Sequence, residues 1–186
     1  PAVPPRIREA LVRILGNPSA DGSLGSRGPW GDDLWLDAYA TDFLTRAREQ
    51  GHAVPDSALE AALGNLRNRS AYTAPGPADA YALYVLARNG RASIGDLRYI
   101  ADERLNGLDT PLAMAQIGAA LALYGDRARA ETVLAAAVSA LPEEESGGWR
   151  ADYGSSLRDA AAVLALAAES GVRSVDLRAL ADRVQD

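Results

Sequence analysis

Two kinds of helix alternate along this chain, and that alternation limits the available folds more than any motif does. One kind is amphipathic. Ile7, Leu11, Ile14 and Leu15 make a first stripe, and Leu59, Ala62, Leu63 and Leu66 a second, behind an Asp56-Ser57 cap. Ile94, Leu97, Ala101 and Leu105 follow a Ser93 cap. Ala130, Val133, Leu134, Ala137 and Val138 follow Asp126, and Leu177, Leu180, Ala181 and Val184 follow Ser174. The spacing is i, i+3, i+4, i+7 with a charged opposite face, so each buries one side only. The other kind is apolar nearly all round. It comprises a helix from Asp32 to Leu44, one over Ala80 to Ala87, one over Leu112 to Tyr124 behind Thr110 and Pro111, and one over Leu157 to Ala168. In the first of these, Leu36, Tyr39, Phe43, Leu44 and Ala47 make one face, and Leu34, Trp35 and Ala38 spill onto its flanks. A helix apolar most of the way round is expected to be buried most of the way round.

Outer and inner helices in strict succession, with a period of about 40 residues, place the chain among helical repeat arrays. The predicted class is all-α. Two architectures fit: an open solenoid, or an α/α toroid (terpenoid cyclase-like) with inner helices ringing an axis. The loops favour the toroid. Inner-to-outer turns are short and carry Gly: Gly51 to Pro55, Asn89-Gly90, Gly125 and Ser170-Gly171. Outer-to-inner connections are elaborate: Gly16 to Gly31, Ser70 to Ala78, Asn106 to Thr110 and Pro142 to Ser155. The elaborate loops therefore gather at one end, together with the N-termini of all four inner helices and their partial positive charge. Four inner helices are fewer than a closed ring needs, so the expectation is an incomplete toroid: one all-α domain over residues 1–186, part of a longer protein. The opening Pro1-Ala2-Val3-Pro4-Pro5 reads as a linker.

Composition excludes several functions. The 186 residues carry net charge −6, against the basic patch that a nucleic-acid partner requires. No stretch approaches the roughly 20 apolar residues of a membrane span. Cysteine is absent, which removes disulfides, thiolate chemistry and cysteine-ligated zinc. All 19 basic residues are arginine, an expected compositional bias. His52, the single histidine, falls in a short inner-to-outer turn, away from the elaborate loops and without the partners that a metal site or a catalytic triad needs. No catalytic, cofactor or metal residue is predicted.

The elaborate end is the expected working end, with the loops Asp21–Gly31 and Glu145–Ser155 at its centre. Asp32, Asp33 and Asp37 lie at the start of the first inner helix, and Asp79, Asp109, Asp152 and Asp159 near the starts of the others. Capping and dipole complementation account for all of them. A paired-carboxylate glycosidase using Asp33 and Asp152 is the competing reading, and a plain helical-repeat binding module is a third. Asp32-Asp33 with Asp37 superficially resembles an acidic cluster for diphosphate-bound magnesium, Asp33 and Asp37 lying one turn apart on one face, but nothing basic beyond Arg27 is near to hold a diphosphate. Trp30, Tyr72, Trp149 and Tyr153 sit in the elaborate loops and, with Asp33, form the predicted contact surface. Packing over the mouth of the inner ring is the alternative role for these aromatics. Glu143-Glu144-Glu145 reads as a solvated acidic loop.

Several segments carry a family resemblance. They are Trp35 to Leu44 with Arg46-Ala47-Arg48-Glu49-Gln50-Gly51 and Val54-Pro55; Ala80 to Arg88; Pro111 to Leu121; and Asp152 to Asp159. In sequence, order and spacing they resemble the thioester domain of bacterial alpha-2-macroglobulins, over nearly the whole chain. The resemblance implies an α/α toroid like that of complement thioester domains, in a large periplasmic, often lipid-anchored protease trap. It implies no enzyme, but a scaffold whose partners are the other domains of the parent and the attacking protease. In that family a cut bait region triggers a conformational change, and an exposed Cys–Gln thioester acylates the attacker. This chain departs from the pattern because it has no Cys-x-Glu-Gln motif. It matches the central and later part of the domain, so the motif lies upstream or the parent belongs to the thioester-less branch. The loop from Tyr72 to Pro77 has no His, so any thioester of the parent is expected to favour amines over hydroxyls.

Overall fold

The computed structural model describes residues 3–16, 22–24, 33–70, 75–142, 150 and 152–185. Among these, all regular structure is helical: α1 (Val3–Leu15), α2 (Leu34–Glu49), α3 (Asp56–Arg69), α4 (Pro77–Arg88), α5 (Ile94–Tyr99), α6 (Pro111–Leu123), α7 (Arg127–Ser139), α8 (Ser156–Ser170) and α9 (Leu177–Gln185). No described helix is long and apolar enough to cross a membrane.

The expected alternation becomes two layers. α2 packs on α4, α4 on α6, and α6 on α8, which makes an inner row; α3, α5, α7 and α9 lie against it from outside. Central members of the row are the most enclosed. Every residue from Ala80 to Ala87 of α4 is buried, and so is most of α6 from Leu112 to Leu121. Small residues permit this closeness. At Gly118 an added Cβ would lie 2.8 Å from the Leu134 side chain of α7, so α6 and α7 touch at a point where only hydrogen fits. The inner-to-outer turns close on left-handed glycines, as at Gly90 (φ 68°) and Gly171 (φ 60°).

Several expectations about detail are corrected. α2 is not apolar on its buried side: Asp37, Thr41, Asp42 and Thr45 face inward, while Tyr39, expected on the buried face, is 57% exposed. Among the described residues α2 and α8 are the first and last helices of the inner row, and Leu157 on α8 is also exposed. The α5 helix is shorter than its stripe suggests. It widens into a π turn over Ile100–Arg104 and a 3-10 turn over Leu105–Gly107. An inserted residue shifts the phase of a helix, and here Leu97, Ile100 and Leu108 are buried while Ala101 and Leu105 are only half so.

Caps follow the same pattern of partial agreement. Ser93 and Thr110 accept from the backbone N–H of Asp96 and Ala113, as expected. Asp56-Ser57 does not cap α3, which starts directly after Pro55 with no side-chain cap. Ser174 bonds Glu131 of α7 instead of capping α9, and Asp176 accepts from the N–H groups of Arg178 and Ala179. Asp126 precedes α7 without a side-chain cap and pairs with Arg98 and Arg129.

Candidate functional site

The N-termini of the inner helices meet at one end, as the loop lengths predict. Pro77 of α4, Pro111 of α6 and Ser156 of α8 line one cavity of about 470 Å³ there. The N-terminus of α2 is tied to that of α8 by Tyr153, whose hydroxyl donates to Asp33 Oδ2 at 2.6 Å. Asp33 Oδ1 meanwhile accepts from the N–H groups of Trp35 and Leu36, so this carboxylate caps α2 and holds Tyr153 together. Tyr153 takes a left-handed backbone (φ 56°), uncommon for a residue with a Cβ. Its hydrogen bond to Asp33 raises the phenol above its ordinary range, because a neighbouring carboxylate disfavours tyrosinate. Of the five predicted contact residues, the structure joins Asp33 and Tyr153; Trp30, Tyr72 and Trp149 lie outside the described residues, as do Asp32 and Glu143 to Glu145.

Asp152 and Asp159 are arranged as supports. Arg150 donates to Asp152 (2.7 and 2.9 Å) and to Asp159 (2.9 Å), and Arg158 donates to both carboxylates at 2.7 Å. Burial would raise Asp152, but the two guanidinium groups outweigh it and hold this carboxyl below its usual range. A general acid needs the opposite shift. Asp33 is likewise occupied in capping, so the pair invoked for a glycosidase is committed to structure.

Asp37 is the most connected carboxylate among the described residues. It is 1% exposed and accepts from Ser23 Oγ (3.0 Å), Leu24 N–H (2.7 Å), Asn65 Nδ2 (3.0 Å) and Arg69. These donors come from the loop before α2 and from α3, so one buried group staples three segments. Gly22 fits the same junction with φ 84° and the Ala61 backbone where a Cβ would stand.

An aromatic cluster lines the flank between α2 and α8, joining Trp35 and Tyr39 of the first inner helix and Tyr81 of the second, all expected to be buried, to Tyr153 of the predicted contact surface. Trp35 stacks on Tyr39 (centroids 5.5 Å, planes 9° apart) and meets Tyr81 and Tyr153 at tilted angles, 5.6 and 5.5 Å away. The Arg158 guanidinium lies 5.7 Å from the Trp35 ring centre. Below this cluster, side chains of α2, α4, α6 and α8 surround a cavity of about 220 Å³. Asp42 borders it, accepting from Tyr81 Oη and Arg46 Nε at 3.0 Å each. Burial dominates its environment and pushes it above its ordinary value despite Arg46. Tyr81 is raised by burial and by the Asp42 charge. At the opposite end, Glu169 of α8 accepts from Arg46 of α2 and Arg88 of α4, both at 3.0 Å, above a second mouth of about 550 Å³. Gln116 was not singled out by sequence. Its signal was present all the same, as the single amide side chain in the apolar run Pro111–Leu123.

No protein-family model matches the chain. Alpha-2-macroglobulin of Escherichia coli strain K12 is 36% identical over 154 residues, 75% of this chain and 9% of that protein. Alpha-2-macroglobulin of Xylella fastidiosa strain Temecula1 is 32% identical over 184 residues, 90% of this chain and 11% of that protein. The chain thus spans about a tenth of the length of these curated relatives. Among solved structures, the native conformation of the E. coli protein matches 95% of this chain and 12% of its own with TM-score 0.80 at 30% identity. The same protein activated by porcine elastase gives TM-score 0.79 at 30% identity over 94% of this chain and 17% of its own. Salmonella alpha-2-macroglobulin reacted with methylamine gives 0.78 at 34% over 92% and 12%.

Proposed function

Because this chain is homologous to one segment of the bacterial alpha-2-macroglobulins, we propose that it is the central and later part of the thioester domain of a protease-trapping inhibitor. The observation that carries this reading is a fold match with TM-score 0.80 over 95% of the chain to the E. coli protein. In this proposal the two layers are part of an α/α toroid. The chain itself does no chemistry; it supports and shields a thioester contributed from elsewhere in the parent, or stands as the counterpart in a thioester-less parent. The end bearing Asp33 and Tyr153, together with the sequence-predicted contact residues Trp30, Tyr72 and Trp149, is its contact surface toward the other domains. The partners are those domains and an attacking protease, and the compartment is the periplasm.

The test uses the full-length parent. After exposure to elastase, the protease should migrate in a denaturing gel as a higher-mass conjugate, and pretreatment with methylamine should abolish it. Inhibition without a conjugate identifies the thioester-less form. Elastase that stays fully active on a large substrate would refute the reading. A thioester that captures glycerol in preference to methylamine would refute the expected amine preference.

A further inference from the structure

The geometry points to a ligand site in the cavity between the four inner helices, shaped for a small, uncharged, flat aromatic molecule that carries one amide-like donor and acceptor. This goes beyond the proposed inhibitor role and does not depend on it. The carrying observation is Gln116. It is 4% exposed, borders the cavity, and makes no hydrogen bond to any described residue. No fully enclosed side-chain nitrogen or oxygen among the described residues lacks a partner, so the Gln116 carboxamide must look into the cavity space. An occupant that displaces solvent from this amide leaves it unmatched unless it brings both a donor and an acceptor, and that mismatch is costly.

The walls decide the rest of the chemistry. Trp35, Tyr39 and Tyr81 line the cavity, with Trp35 stacked on Tyr39 and Tyr81 tilted against Trp35, and such an aromatic wall suits an aromatic partner held edge-to-face. Leu112, Ala162 and Leu166 supply apolar area. Charges at the edge are already neutralised within the protein. Asp42 pairs with Arg46, Arg46 with Glu169, and Arg158 with Asp152 and Asp159. A charged ligand would give up its hydration with no free counter-ion to meet it. The space of about 220 Å³ suits one ring with a small substituent; a dry apolar cavity of about 150 Å³ is enough for benzene.

Benzamide is the first probe, followed by ligand-observed saturation-transfer NMR on the full chain. Benzoate has the same ring with a charge, and toluene the same ring without the amide. Benzamide should bind at millimolar concentration or tighter, and benzoate at least about tenfold more weakly. Gln116→Leu should weaken benzamide by about three- to tenfold, the equivalent of one neutral hydrogen bond, and leave toluene unchanged or improved. Ala165→Phe, at a solvent-accessible position on the cavity edge, should block all three probes. Circular dichroism melts establish that each variant is folded; if Ala165→Phe is not, the Gln116→Leu comparison decides alone. No benzamide binding to the unaltered chain, equal binding of benzoate, or undiminished benzamide binding by Gln116→Leu would each overturn the assignment.

Discussion

Replacing Asp37 by Ala should be the most damaging single polar substitution in the described structure. The carboxylate is 1% exposed and receives the Ser23 hydroxyl, the Leu24 N–H, the Asn65 amide and the Arg69 guanidinium. Removing it takes a shared acceptor from four donors and leaves a small hole. Truncating one partner of a buried ion pair costs about 3–5 kcal/mol, mostly because the other is left uncompensated. The Arg69 side chain is 25% exposed and recovers part of its hydration, which places the loss near the lower end, at about 3–4 kcal/mol. For a chain of this length that is roughly 6–16 °C in Tm. Urea unfolding followed by far-ultraviolet circular dichroism is the assay, with a lower midpoint and an unchanged slope expected. A double-mutant cycle sharpens it. Asn65→Ala alone should cost about 1 kcal/mol, and almost nothing once Asp37 is already Ala, giving a coupling of about 1 kcal/mol. A loss below about 1 kcal/mol for Asp37→Ala, or zero coupling, would refute the staple.

Three further outcomes are expected. Gly118→Ala places a methyl 2.8 Å from the Leu134 side chain, so thermal unfolding should show a loss of about 1–3 kcal/mol, in contrast to the usual gain from Gly→Ala inside a helix. Asp152, held below its ordinary range in the folded chain, contributes stability that is present above the unfolded value of 3.8 and lost as pH falls through the folded value. Asp152→Asn should therefore flatten the acid limb of the stability–pH curve below pH 4, measured by urea midpoints at stepped pH. Glu169→Gln removes the charge that pairs with Arg46 and Arg88, but this side chain is 44% exposed, so the loss should be about 0–1 kcal/mol and vanish in molar salt.

The two-layer design was legible because burial is written directly into helical periodicity. The Ala80–Ala87 run has no polar side to show to water except two tyrosines, and it is buried throughout. The convergence of inner N-termini was legible from loop lengths alone, and Pro77, Pro111 and Ser156 indeed share one cavity. Polar burial was not. Asp37, Asp42 and Thr45 look like a solvated face until their partners arrive from helices tens of residues away. The exposure of Tyr39 is not legible because periodicity describes a helix and not the neighbours its flank receives. The caps expected at Ser57 and Ser174 failed because Pro55 and Asp176 set those helix starts first. Gln116 was passed over because one amide among many alanines is ordinary until the space it faces is known.

Every ion pair among the described residues uses arginine, and the 186 residues include no lysine. Guanidinium groups stay protonated at any physiological pH and are poor nucleophiles, whereas a lysine amine is a ready one. The chain can therefore keep its networks of charge while offering no side-chain amine to an electrophile. A reactive acyl group held beside this surface would have no lysine there to consume it, and would remain available for amines that arrive from outside.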